Sequence, residues 1–176
     1  MLGTFKQPAG WIQLRFPSKP LSLHIGCGQK RLKGFVNIDW NHSRATDYAG
    51  DAGKLPCPSN SVSRIETYHV IEHIPYPDVQ RVIREWYRVM RPGGRLVIEC
   101  PDLEQDLKDY LAGNEERLFS IFGRHRFRGD AHVWGYTGDS LKKLMESNGF
   151  SNVEEMPPQD YHALSEPCLR IECVKK

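Results

Sequence analysis

The chain has 176 residues, with 24 Lys plus Arg against 22 Asp plus Glu and a net charge of +2. That length suits one α/β domain with a full core, and so even a charge balance argues against nucleic acid as a partner. Its five cysteines (Cys27, Cys57, Cys100, Cys168 and Cys173) include no Cys-x-x-Cys pair, which argues against a disulfide framework or a structural zinc site and fits a reducing cytoplasm. No apolar stretch is long enough to span a membrane, and residues 1–20 lack the apolar run and cleavage site of a secretory signal.

Residues 1–20, with Pro8, Pro17 and Pro20 among scattered aromatics, are expected to form an irregular lead-in packed on the domain of residues 21–176. Leu21 to Ile25 and Phe35 to Ile38 read as the first two strands, Tyr48-Ala49 as a very short third, and Val62 to Tyr68 as a fourth. Asp78 to Met90 places Val79, Val82, Ile83, Trp86, Tyr87 and Met90 at helical spacing, with Asp78 as the expected N-cap. Arg91-Pro92-Gly93-Gly94 stops that helix, and Arg95 to Cys100 is a strand buried on both faces. Leu103 to Leu111 and Glu115 to Phe122 read as short helices, Gly123 to Tyr136 as a basic, aromatic loop, and Thr137 opens a helix through Ser147 closed by Asn148-Gly149. Ser151 to Glu155 and Leu169 to Val174 are the last strands.

This alternation predicts a single Rossmann-like, three-layer α/β domain. Its sheet has seven (or six) strands and is mainly parallel, with an antiparallel last strand. Ligands of such sheets bind beyond the carboxyl ends of the strands. Gly26-Cys27-Gly28, Asp39, Asp51 and Tyr68-His69 all fall there, and Pro101-Asp102 follows the fifth strand. A Gly-x-Gly turn lets backbone approach a ligand without a Cβ clash. Asp39 can accept from both hydroxyls of a ribose, or simply cap a turn. Asp51 can accept from an exocyclic amine, or form an Asx turn before Gly53. Only six residues, Gln29 to Gly34, separate the glycines from the second strand, and the third glycine of a dinucleotide fingerprint is missing. A pyrophosphate needs the helix that this spacing has no room for, so an NAD site is disfavoured.

On these residues the chain resembles a class I S-adenosylmethionine (SAM)-dependent methyltransferase, of the compact kind grouped with methyltransferase type 11. Leu23 to Gly28 resembles the first motif, and Asp39 the acidic residue that binds the ribose. Gly50-Asp51-Ala52 with Leu55-Pro56 resembles the loop that reads the adenine, Tyr68 to Ile74 the segment after the fourth strand, and Arg91 to Leu96 the turn and strand that follow. The resemblance implies SAM as cofactor, S-adenosylhomocysteine as product, and Gly26, Cys27, Gly28, Asp39, Trp40, Asp51, Ala52, Tyr68 and His69 as its site. It implies in-line methyl transfer to a small-molecule or glycan-linked acceptor, with a hydroxyl expected and an anionic group allowed. A non-catalytic SAM- or nucleoside-binding module is the alternative, and a homodimer stays open.

A hydroxyl acceptor gains from a general base, and His69, His73 and His132 are the catalytic candidates. His69, Glu72 and His73 have i, i+3, i+4 spacing and on a helical turn share a face. They can orient a base or merely brace the loop; a divalent ion with His132 as further ligand is the lesser alternative, and no metal is assigned. The acceptor is expected to meet residues 101–140, where Arg124-His125-Arg126-Phe127-Arg128 precedes Asp130, His132, Trp134 and Tyr136.

Overall fold

The structure, a computed structural model, describes residues 20–176. The expected lead-in therefore lies, but for Pro20, outside the described residues. In chain order the elements are β1 (Leu21–Ile25), β2 (Val36–Asp39), β3 (Tyr48–Ala49), β4 (Val62–Tyr68), α1 (Tyr76–Val89), β5 (Met90–Pro101), α2 (Leu103–Leu111), α3 (Arg117–Phe122), α4 (Gly138–Ser147), β6 (Phe150–Met156) and β7 (Cys168–Lys175). The sheet has seven strands in the order β3-β2-β1-β4-β5-β7-β6. All pairs are parallel except those of β7, which runs antiparallel to both β5 and β6. Strand order reverses between β1 and β4, which creates the crevice where doubly wound folds bind ligands.

Register sorts the side chains into two unlike faces. One row runs Val36–Leu23–Ile65–Leu96–Cys173, and the next Ile38–Ile25–Thr67–Ile98–Ile171. Val79, Val82, Ile83 and Trp86 of α1 and Leu141, Leu144 and Met145 of α4 join this face in a single apolar core. The reverse face is mostly polar. Its rows run Asn37–His24–Glu66–Val97–Glu172 and Tyr68–Glu99–Arg170.

Two local expectations shift. The helix α1 begins at Tyr76, with Pro75 in the capping position and Pro77 in its first turn; Asp78 is not the N-cap but lies within that turn, where its carboxylate still faces the positive end of the helix dipole. The segment Arg91 to Gly94 does end α1, but it belongs to β5, whose pairing with β4 is irregular between Val62 and Arg64. At α4 the sequence reading holds in detail. Thr137 and Ser140 form a reciprocal capping box, and Gly149 follows with φ +92°.

Candidate functional site

The loop after β1 is welded to the end of β2. Gly26 and Cys27 both donate their N–H to the Ile38 carbonyl, at 2.8 and 3.0 Å. Gly28 N–H donates to Asp39 Oδ2 at 2.8 Å, and Asn41 N–H to Asp39 Oδ1 at 2.8 Å. Three successive amides are thus used internally, so none is free to cradle a phosphate. Each Asp39 oxygen keeps a second lone pair for a hydroxyl ligand. Gly26 and Gly28 have φ of +76° and +51°, a region that L residues enter at a cost. A Cβ on Gly26 would stand 1.9 Å from Val70 Cγ2.

Asn37 replaces the helix that the short β1–β2 connection lacks. Its fully buried amide oxygen accepts from Leu32 N–H at 2.9 Å and lies 3.0 Å from His24 Nδ1. Its NH2 donates to the carbonyls of Leu32 and Phe35 and to Asp47 Oδ2, at 3.2, 3.0 and 3.1 Å. The signal was an Asn inside an otherwise apolar strand, and sequence reasoning passed over it.

The other expected cofactor residues lie where predicted in the chain but differ in availability. Trp40, next to Asp39, is 71% exposed. Asp51 forms the Asx turn, with Oδ1 accepting from Gly53 N–H at 2.7 Å, while Oδ2 takes Arg81 Nη1 at 3.3 Å. The Ala52 carbonyl accepts from Trp86 Nε1 at 3.0 Å. The Tyr68 hydroxyl donates to Glu66 Oε2 at 2.5 Å, so the phenol lies back along the polar face, and burial with this bond raises its pKa.

The His69-Glu72-His73 spacing does not produce one shared face. His69 stands in the left-handed region, φ +53°, ahead of a 3-10 turn over Ile71–His73. That splits the histidines between two neighbourhoods around Glu72. His69 Nδ1 lies 3.2 Å from Glu72 Oε1 and 4.0 Å from Glu166 Oε1, its Nε2 lies 3.6 Å from Cys168 Sγ, and its ring packs on His162 with centroids 4.0 Å apart. Burial alone would lower its pKa, but the contacts with Cys168 and Glu72 outweigh that and raise it to about 10. The Cys168 thiol is itself pushed up by burial and stays neutral, so the charge that holds His69 protonated is that of Glu72. An imidazolium carries no free lone pair, so His69 rests as an acid, not as a base.

His73 and His132 meet on the other side, with ring centroids 4.8 Å apart. His73 Nδ1 lies 3.0 Å from the Ala131 carbonyl and His132 Nδ1 2.6 Å from that of Ser120. A carbonyl only accepts, so each Nδ1 carries the proton, and in the neutral ring Nε2 is left bare. Burial lowers the His132 pKa and keeps that ring neutral. The main chain fixes the meeting, because Val133 and Trp134 N–H both donate to the Glu72 carbonyl, at 2.9 and 3.2 Å.

One element of the site was missed in sequence. The β6–β7 connection crosses toward the glycine loop. Lys30 Nζ pairs with Asp160 at 2.7 Å and lies 4.7 Å from the Tyr161 ring centre. Glu99, fully buried near the carboxyl end of β5, accepts from Gln159 and Asp160 N–H and pairs with Arg170. A lone Glu within the apolar run RLVIEC was the available clue.

In the expected insertion, Arg126 pairs with Asp130 at 3.0 Å and Arg124 lies over the Phe119 ring, 5.5 Å from its centre. Tyr76 stacks on Trp134 at 4.3 Å, and both are exposed. Among the described residues no helix is long and apolar enough to cross a membrane.

Residues 29–98 match the family model described as a methyltransferase domain. Over 137 residues the chain is 27% identical to the ubiquinone/menaquinone biosynthesis C-methyltransferase UbiE of Brucella canis, covering 74% of this chain and 47% of that protein. It is 26% identical over 129 residues to the arsenite methyltransferase of Halobacterium salinarum, covering 73% of this chain and 30% of that one. The chain therefore spans about half the length, or less, of these curated relatives. Among solved structures, a SAM-dependent methyltransferase from Thermotoga maritima matches with a TM-score of 0.63 at 20% identity, covering 90% of this chain and 83% of that one. Human N-acetylserotonin methyltransferase in complex with SAM matches at 0.56 and 15%, covering 89% of this chain and 47% of that one. The domain match over residues 29–98, the strand order and the welded glycine loop agree in their likeness to SAM-dependent methyltransferases.

Proposed function

We propose that the protein transfers the methyl group of SAM to a hydroxyl of a small-molecule or glycan-linked acceptor. The observation that carries the reading is the placement of two chemistries beyond adjoining strand ends. The glycine loop with Asp39 lies beyond β1 and β2, and Glu72, His73 and His132 lie just beyond β4. In this reading Gly26, Cys27 and Gly28 line the adenosyl side and Asp39 accepts from the ribose. Trp40, Asp51 and Ala52 flank the adenine, and Tyr68 and His69 mark the sulfonium end. The acceptor oxygen attacks the methyl carbon as the carbon–sulfur bond breaks, and S-adenosylhomocysteine leaves. The hydroxyl proton departs toward the Glu72–His73–His132 cluster. Alignment of the two reactants supplies most of the rate.

The exposed Tyr76–Trp134 stack and the arginines of residues 124–128 support an acceptor with a flat or sugar face and an anionic group. The relatives named above include a quinone-pathway C-methyltransferase and an arsenite methyltransferase, so acceptor atom and acceptor class are tested together. Calorimetry should show S-adenosylhomocysteine binding to the folded chain. A panel of sugar, phenol, quinol and arsenite acceptors should release it only with hydroxyl compounds. No binding would end the reading as a whole; turnover with quinol carbon or arsenite alone would end its hydroxyl part. Binding without turnover across the panel would favour a SAM-binding module, a reading supported by the absent helix between β1 and β2.

A further inference from the structure

We infer that Glu72, His73 and His132 form a mononuclear site for a borderline divalent cation of the Zn2+ kind, with an open coordination position. The buried carboxylate carries the case. Glu72 is 2% exposed, and among the described residues neither of its oxygens accepts a hydrogen bond. His69 Nδ1 approaches Oε1 to 3.2 Å without hydrogen-bond geometry, and Oε2 has no such neighbour. The His69 imidazolium compensates the carboxylate on the Oε1 side, but Oε2 stays buried with no donor among the described residues, which is costly unless a cation meets it. One ligand atom from each of Glu72, His73 and His132 lies within 4.8 Å of the other two, and a cation drawn between them would close that gap.

The outer contacts have the form that ligating histidines need. Each ring is held through Nδ1–H on a backbone carbonyl, Ala131 for His73 and Ser120 for His132. That fixes the tautomer and directs Nε2 as the donor atom. Two imidazoles and a carboxylate suit Zn2+, Fe2+ or Co2+ better than Mg2+ or Ca2+, which prefer all-oxygen shells. Three protein ligands leave a fourth position. Glu72 and His132 both line a small cavity of about 10 Å³ beside Pro101, Leu103, Ser120 and Trp134, room for one water-sized group.

The second cluster, His69, Asp160 and His162, carries no such case. Both Asp160 oxygens are already paired, with Lys30 and with His162.

The inference does not depend on methyl transfer and is tested without it. The full chain, freed of any affinity tag, is titrated with Co2+ and then Zn2+, following the visible Co2+ bands. One Co2+ per chain should bind with the absorption of a low-coordinate site, and Zn2+ should displace it. Glu72→Gln and His132→Gln should each weaken binding by more than the roughly 10–100-fold that loss of an outer partner costs. His125→Gln, an exposed histidine elsewhere, should leave it unchanged. Circular dichroism decides which variants are folded; should Glu72→Gln unfold, His132→Gln and His73→Gln carry the test. Absence of saturable binding by the folded wild-type chain would overturn the inference. So would folded ligand variants that bind Co2+ as the wild type does.

Discussion

Gly26 offers the sharpest test of how the glycine loop is held. An alanine there must adopt φ +76°, which costs a non-glycine residue about 1–2 kcal/mol. Its methyl would also stand 1.9 Å from Val70 Cγ2, 3.3 Å from Val70 Cβ and 3.7 Å from Cγ1. Overpacking of that kind costs about 1–3 kcal/mol, so Gly26→Ala should lose about 2–5 kcal/mol in all. In the double variant Gly26→Ala/Val70→Ala, both γ-methyls are gone and the nearest remaining Val70 atom is Cβ, at 3.3 Å. The overpacking part should vanish while the backbone part stays, giving a favourable coupling of about 1–3 kcal/mol between the substitutions. Urea unfolding of the four proteins measures this, and calorimetry with S-adenosylhomocysteine follows the loop itself. Additive effects within about 0.5 kcal/mol, or a Gly26→Ala protein as stable as wild type, would refute the close packing of this loop on the segment after β4.

Three further outcomes follow from buried polar groups. Asn37→Ala removes the hydrogen bonds that organise residues 32–35 and should cost about 2–4 kcal/mol in urea unfolding, given roughly 1 kcal/mol per bond plus the groups left unpaired. Glu99→Gln should cost about 2–4 kcal/mol by weakening its buried pairing with Arg170; hydrogen exchange should show Gln159 and Asp160 losing protection before the rest of the sheet. Asp106 is fully buried, with Ser120 Oγ donating to it at 2.6 Å, and burial raises its pKa from the ordinary 3.8 to about 6. A raised folded pKa means that stability is full below pH 3.8 and is lost as pH climbs through about 6. Asp106→Asn should escape that loss. Its stability relative to wild type should therefore rise by up to about 3 kcal/mol between pH 4 and 7, read from thermal or urea unfolding at each pH, and a constant difference would contradict the assignment.

The sequence carried the elements and their order well, because periodicity and punctuation are local. Val79, Val82, Ile83 and Trp86 mark one helix face, and Thr137 with Ser140 marks a helix start. The glycine loop and Asp39 were legible for a similar reason, since they sit at strand ends that alternation alone defines. What spacing could not show is where a non-helical turn aims its side chains. His69, Glu72 and His73 share a face only on a continuous helix, and the positive φ of His69 breaks that condition. Nor could it show pairs such as Lys30 with Asp160, 130 positions apart, where each residue alone looks like ordinary surface charge.

The short β1–β2 connection and the polar reverse face share one physical cause. The connections joining β1 to β2, β2 to β3 and β3 to β4 contain no helix, while α1 and α4 both bury their apolar residues in the same core. A strand face that no apolar helix among the described residues covers gains little from Leu or Ile and must satisfy polar groups from its own neighbours. That is what the reverse rows do. Tyr68 bonds Glu66, Arg64 pairs with Glu66, Arg95 with Glu172, and Arg170 bridges Glu99 and Glu172. Glu99 then reaches past the end of this network to hold the main chain of Gln159 and Asp160. Asp160 in turn holds Lys30, four residues beyond Gly26. The polar face thus tethers the β6–β7 connection to the end of the loop that a helix would otherwise have continued. The Lys30–Asp160 pair is the point at which the β6–β7 connection meets the glycine loop.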